Sequence, residues 1–371
     1  MMARMTDVLI VGGGPAGLAT AIALRRNGLS AMVVEAHAPG VDKACGEGLM
    51  PETVASLRAL GVAVSDADGH PFRGIRFVNP KHRVEARFPD GVGLGVRRPV
   101  LHQKLADRAA VVGATLCWES RVMLQDGESA QVNGAQVRFK WLIGADGHSS
   151  SVARWSGLDT VRKQSLRYGF RRHYQVTPWS DYVEVHWGEH GQMYCTPVAP
   201  GCVGVAYITR HRGIDRDKVL ASFPELAARL AGAGEVSQER GAVSATRHLR
   251  RVADGNVALV GDASGSADSI TGEGLAVTFR QAQALADSIA AGGVATYARE
   301  HRAIGKLPHA MGALMLTMDR WPALERRAMR ALAANPELFR DLLSVHVGRK
   351  SGMGVAVRRG PRFGWSLLAG A

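Results

Sequence analysis

Apolar residues along this chain follow two rhythms. Short unbroken runs that end in glycine turns read as parallel strands buried on both faces. They are Val8-Leu9-Ile10-Val11, Ala31-Met32-Val33-Val34, the segment Arg138 to Asp146 (RFKWLIGAD) and Asn256 to Gly261 (NVALVG). Helical spacing separates them: after the first run up to Asn27-Gly28, from Pro51 to Leu60, from Pro99 to Val112 and from about Gly274 to Ala291. The other rhythm is alternation. GIRFV, VEARF and VGLGV, between Phe72 and Arg98, are parted by turns at Asn79-Pro80-Lys81 and Pro89-Asp90-Gly91. RYGFRRHYQV, YVEVHW, QMYCTPV and CVGVAYIT, between Tyr168 and Thr209, predict an antiparallel meander. Helical spacing returns from Asp217 to Leu230. From Tyr297 to Ala371 the chain reads as mainly helical and arginine-rich, with Pro308, Pro322 and Pro336 marking helix starts or breaks.

The opening unit carries a fingerprint. Its first strand runs into Gly12-x-Gly14-x-x-Gly17, a helix follows, and the second strand ends on Glu35. Gly12 permits the tight turn, Gly14 lets the backbone approach a pyrophosphate, and Gly17 lets helix and strand pack closely. An acid closing the second strand accepts ribose hydroxyls. A lone GxGxxG is weak, but strand, turn, helix, strand and acid in order predict a dinucleotide site.

The expected fold is α/β: a Rossmann-like dinucleotide-binding domain interleaved with an antiparallel β-sheet substrate domain and a C-terminal helical region. Residues 1–70, 98–160 and 250–296 fall in the first, 71–97 and 161–249 in the second, and 297–371 in the third. Composition agrees with a globular chain: 371 residues, 46% hydrophobic and 21% charged. The first strand leaves no room for a signal peptide and no apolar run spans a membrane, so a cytoplasmic location is expected. Four cysteines (Cys45, Cys117, Cys195, Cys202) without CxxC spacing fit a reducing compartment and no zinc site. A surplus of 46 Lys+Arg over 33 Asp+Glu gives +13. No nucleic-acid motif accompanies it; the charge leaves a peripheral membrane surface or an acidic carrier protein as partner classes.

A second glycine turn changes the picture. Gly261-Asp262-Ala263-Ser264-Gly265 is followed by Thr271-Gly272-Glu273-Gly274 at the head of a long helix. An aspartate at a strand end accepts from a ribose or ribityl chain, and free N–H groups at a helix start favour something anionic. Two such turns, far apart in sequence, suit a long cofactor held at both ends. FAD has that shape.

Four motifs, GGGPAG, KACGEG, GADGHSS and GDASGSADSITGEG, make residues 5 to roughly 300 resemble single-domain FAD-dependent oxidoreductases. The group joins aromatic-hydroxylase-type flavoproteins to geranylgeranyl reductases. The resemblance implies that Asp146, in the middle motif, packs beside the cofactor, and that Arg98 reaches FAD phosphate or ribityl oxygens. It further implies Ala16, Glu35, Cys45, Gly46, Gly48 and Val122 around FAD, with Asp262, Gly274 and Leu275 at the other end. This chain departs from the pattern in three places. Ser269 stands where a proline is usual, Ala153 stands where an arginine is usual, and Gln192 to Pro197 replaces the reductases' aromatic substrate motif. CGEGLMP, RRHY, VEVHW and TGEGL look more like hydroxylases of polyketide phenols.

Cys45 lies beside Lys43, so its thiol is either a small packing residue or a proton donor near the flavin. His173, Tyr182, His186 and Tyr194, together with Tyr174, are candidate substrate-pocket residues on the alternating strands. His186-Trp187-Gly188-Glu189-His190 matches a metalloprotease string, but it falls on a strand and a glycine turn rather than a helix, so no metal site is expected. With no second nucleotide fingerprint, electrons are expected from transiently bound NAD(P)H or a protein donor. The favoured expectation is an O2-dependent monooxygenase hydroxylating a hydrophobic aromatic small molecule. Reduction of C=C bonds in a lipophilic substrate is the alternative, and a flavin-binding partner protein without turnover is a third reading.

Overall fold

The computed structural model describes residues 4–350. The last part of the expected helical tail, 351–371, lies outside the described residues. A mostly parallel eight-stranded sheet, with antiparallel strands at Ala253–Asp254, Val122–Leu124 and Ser129–Val132, forms the first layer. Its path runs Ala253–Asp254, Val257–Leu259, Ala135–Gly144, Arg4–Val11, Ala31–Val34 and Thr115–Cys117. Val8 pairs with Trp141 on one side and Ala31 on the other, which places the opening strand at the sheet's centre. Helices Pro15–Arg26, Arg98–Val111 and Gly274–Ala290 cover one face, packing Leu18, Ile22, Leu105, Phe279 and Leu285 into one core. The opposite face buries Leu9, Leu142, Val152 and Leu158.

The second layer is a nine-stranded sheet. It runs Gly265–Ser266, Arg240–Leu249, Val161–Gln175, Cys202–Thr209, Gly191–Ala199, Tyr182–Gly188, Gly74–Val78 and Arg83–Arg87, with Gly234–Glu235 off this path. Most of it is the predicted meander, while Tyr182–Gly188 and Gly74–Val78 run parallel. Its strands come from three separate stretches, so the chain passes repeatedly between the two layers.

Several local expectations are corrected. VGLGV does not extend the large sheet: Gly93–Gly95 pairs with Gly48–Leu49 and His70–Phe72 in a small three-stranded sheet. A Cβ at Gly95 would lie 1.8 Å from the Pro197 carbonyl oxygen, so glycine permits this close crossing. Asp217 to Leu230 is two helices, Arg216–Ala221 and Pro224–Leu230. Phe223, before Pro224, is forced out of the helical region (φ −129°, ψ 73°). Pro322 and Pro336 do begin helices, but Pro308 lies inside the 26-residue helix Ala295–Arg320. Packing against Gly274–Ala290 and the turn Ser269–Thr271 carries that helix through its proline. No described helix is long and apolar enough to cross a membrane.

Candidate FAD site and apolar chamber

The parallel strands end in one cleft. Val11 leads to Gly12 and Gly14, Val34 to Glu35, and Gly144 to Asp146, all bordering a cavity of about 880 Å3 that reaches the antiparallel sheet. Gly12 has φ +109°, and a Cβ there would lie 2.4 Å from the Ala145 carbonyl oxygen. Gly17 does not border the cavity; its missing Cβ leaves room for the Gly12 carbonyl, 1.9 Å from where that carbon would be. At Gly14 a Cβ would meet no protein atom within 4 Å, so the space above the helix start is open. No side chain caps that helix, which leaves its first N–H groups facing the cleft beside Ala16.

Glu35 is held ready as an acceptor. Its Oε2 accepts from Gly13 N at 2.7 Å, and its Oε1 accepts from His37 N at 3.0 Å. Burial pushes its carboxyl up, but these bonds outweigh burial and hold it below the ordinary carboxylate value. The other end of the cleft mirrors this arrangement. Asp262 is exposed to the cavity, and its carboxylate has no partner among the described residues. Gly272 is left-handed (φ +69°), and Gly274 opens a 17-residue helix without a side-chain cap. Gly272, Gly274 and Leu275 border the cavity.

Between the two ends, Cys45, Gly46 and Gly48 line the wall, facing Arg98 and Val122. Thr196 Oγ1 donates to the Gly46 carbonyl at 2.8 Å, tying this loop to the antiparallel sheet. The guanidinium of Arg98 forms no ion pair among the described residues. Asp146 borders the cleft, but its carboxylate serves another purpose as well. It accepts from Ser150 Oγ (2.5 Å), Ser151 N (2.6 Å) and Ser151 Oγ (2.7 Å), fixing the start of helix Ser151–Trp155.

The candidate substrate residues divide. Tyr194 borders the cavity, its hydroxyl donating to the Ile270 carbonyl at 3.2 Å. His173, Tyr182 and His186 stand outside it. His173 Nε2 lies 2.6 Å from Glu47 Oε2, and His186 Nε2 lies 3.1 Å from Glu184 Oε2. Tyr182 accepts from Arg87 Nε at 3.2 Å, and Tyr174 from Arg216. Alternation put these side chains on a face of the sheet, but carboxylates and arginines, from other segments or in the case of His186 from its own strand, already occupy them.

The walls that sequence reasoning missed are mostly apolar. Phe77 and Val185 from the sheet meet Met315 and Met318, with Leu332 and Phe339 closing the far side. The methionines recur at helical spacing, a visible stripe whose facing partner no local signal could name. Phe170 and Tyr207, stacked with ring centroids 4.8 Å apart, also border the cavity. His346, from the last described helix, reaches it as well.

These features match the comparisons with known proteins. The FAD binding domain family matches residues 5–296. The chain belongs to that family. It is an FAD-dependent oxidoreductase, and its relatives by sequence include reductases. It is 28% identical over 298 residues to a menaquinone reductase of Mycobacterium tuberculosis, 72% of each chain being covered. It is 27% identical over 299 residues to a digeranylgeranylglycerophospholipid reductase of Thermoplasma acidophilum, covering 73% of this chain and 74% of that one. Among solved structures, a flavin-dependent brominase superposes with TM-score 0.79 at 20% identity, covering 93% and 94% of the two chains. A geranylgeranyl bacteriochlorophyll reductase-like protein of Thermoplasma acidophilum superposes with TM-score 0.71 at 22% identity, over 99% of both. The site fits the cofactor: two uncapped helix starts, open space at Gly14 and Gly274, and a carboxylate near either end, Glu35 and Asp262.

Proposed function

We propose that this oxidoreductase reduces carbon–carbon double bonds of a lipophilic, isoprenoid-like substrate. The chamber supports this most. Past the Cys45 loop the cleft widens between Phe77, Val185, Met315, Met318, Leu332 and Phe339, walls that bury hydrocarbon and exclude water. FAD, when bound, would supply hydride chemistry, with NAD(P)H as the proposed source of electrons. The protein's share is to hold and orient. Gly14 and the helix behind it receive the diphosphate, and Glu35 receives the adenosine ribose. Asp262 would hold the ribityl chain, Arg98 would hold phosphate or ribityl oxygens, and the free N–H groups at Gly274 would stabilise negative charge on the reduced ring. Cys45, in the chamber's wall, is the proton donor to the substrate carbon. The reductase names of the curated relatives point the same way. A lipophilic substrate also suits a chain whose positive surplus attracts anionic membrane surfaces.

Hydroxylation of an aromatic substrate is the second reading, favoured by the Phe170–Tyr207 stack, a flat platform on the cavity wall. Turnover with NADPH in the absence and presence of dioxygen separates the two. A reduced polyprenyl product formed without dioxygen supports reduction. Incorporation of labelled oxygen into a phenol, with no anaerobic product, overturns it.

A further inference from the structure

Glu47 adopts a backbone conformation that non-glycine residues seldom take, φ +60°, on the wall of the cleft. Its side chain is buried, and each carboxylate oxygen has a separate task. Oε1 accepts from the backbone N–H of Arg98 at 2.8 Å, at the head of helix Arg98–Val111. Oε2 lies 2.6 Å from Nε2 of His173, in the middle of the antiparallel sheet. The carboxylate oxygen accepts from the Nε2–H of the ring, whose Nδ1 faces Ser237 Oγ at 2.8 Å and Arg171 Nη1 at 3.1 Å. Arg171 is in turn paired with Asp42, at the start of the same loop. The backbone of Glu47 works in parallel: its N–H points at Cys45 Sγ (3.4 Å), and its carbonyl accepts from Val96 N at 2.9 Å.

We propose that Glu47 is a positioning residue whose carboxylate pins the Cys45–Gly48 loop between the substrate sheet and the Arg98 helix, and thereby sets the Cys45 thiol in the cavity wall. The functional consequence rests on the reading that this loop faces the flavin. The pin itself does not.

Glu47→Gly tests it, because glycine keeps the left-handed backbone at no steric cost and deletes only the carboxylate. The readout is maleimide labelling of Cys45, followed by peptide mass spectrometry in flavin-free and FAD-loaded protein. The expected result is a labelling rate roughly tenfold higher at Cys45, the scale of one lost charge-assisted hydrogen bond. Cys117, elsewhere in the fold, should label at an unchanged rate. In loaded enzyme kcat should fall while KM for the electron donor holds. Two further variants carry the test should the glycine variant not fold. Glu47→Gln offers one amide oxygen to two N–H groups and should give a partial rise, and His173→Phe removes one anchor and should do the same. An unchanged Cys45 rate in any of these, with wild-type circular dichroism, overturns the proposal. A wild-type chain that no donor reduces would overturn the functional reading and leave the flavin-free labelling result standing.

Discussion

The imidazole of His346, at the end of helix Pro336–His346, faces the carboxyl of Glu273, with 3.4 Å between Nδ1 and Oε2. Its Nε2 lies 3.1 Å from the Thr271 carbonyl oxygen, which can only accept, so the ring's own proton sits on Nε2. Nδ1 is therefore bare. Burial, with the nearby Glu52 carboxyl acting in the same direction, pushes Glu273 up to about 8. Burial alone brings His346 down to about 4, against the Thr271 bond. Neither Glu273 Oε2 nor His346 Nδ1 has a hydrogen-bond partner among the described residues, so it is the Thr271 bond that fastens the last described helix to the turn that starts helix Gly274–Ala290.

That pair makes stability depend on pH in a stated direction. Glu273 has a folded value above its ordinary 4.5, so its contribution is complete below 4.5 and is lost as pH rises through about 8. Glu273→Gln stays neutral throughout. We expect the variant to gain on the wild type between about pH 4.5 and pH 8, by on the order of 4 kcal/mol in unfolding free energy, and to run parallel above that. His346 works on the acid side, where stability falls as pH drops from 6.5 towards about 4. Denaturant melts of both chains across this range decide it, and parallel pH curves would refute the assignment.

Gly14 and Gly17 should fail differently when each becomes alanine. At Gly17 the new methyl would sit 1.9 Å from the Gly12 carbonyl oxygen, a backbone atom that cannot yield cheaply. Gly17→Ala is expected to lower Tm and flavin content together, with a cost on the order of 1–3 kcal/mol. At Gly14 the methyl meets no protein atom, so Gly14→Ala should melt like the wild type without flavin. It should lose FAD affinity all the same, because the methyl enters the space left for the diphosphate. Thermal melts of flavin-free protein beside an FAD titration separate the two effects.

Arg167 is 2% exposed and is shared between two acids. Nη1 lies 3.2 Å from Asp268 Oδ1, and Nη2 lies 3.6 Å from Asp319 Oδ1 and also donates to Gln192. Arg167→Met removes the cation and leaves Asp268 in the interior beside the chamber's turn. Destabilisation of about 3–5 kcal/mol is expected, the scale of a buried pair broken on one side. Asp268→Asn in the same background should recover part of it, since no uncompensated charge then remains at that position. A double-mutant cycle by urea denaturation measures the recovery; additive losses would contradict it.

The parts legible in the sequence are the local ones. The turn at Gly12 and the helix start at Gly274 depend on neighbours within a few residues, so spacing alone predicts them. Strand Arg240–Leu249 went unread because its first half is exposed and shows no apolar alternation, and it becomes a strand by pairing along Val161–Gln175. His173 and His186 looked free because Glu47 lies 126 residues from the one, and the carboxylate facing the other sits on its own strand two residues away. The pair of His346 and Thr271 spans 75 residues. Pattern shows that a residue faces inward; which residue meets it there depends on the crossing of distant elements.

The chamber offers the sharpest test of substrate class. Val185 is 4% exposed on strand Tyr182–Gly188 and belongs to the cluster of Trp187, Ile270, Met315 and Met318. Val185→Phe should fill part of the apolar volume while leaving FAD binding intact. Each methylene denied burial costs roughly 0.8 kcal/mol, so losing two or three of them raises KM for a long isoprenoid chain about tenfold or more. A short-chain analogue that never reaches this wall should keep its KM, and flavin reduction by the donor should keep its rate. Steady-state kinetics with a chain-length series measures this. A uniform loss across all lengths would show that Val185 supports the cofactor cleft instead of bounding the substrate.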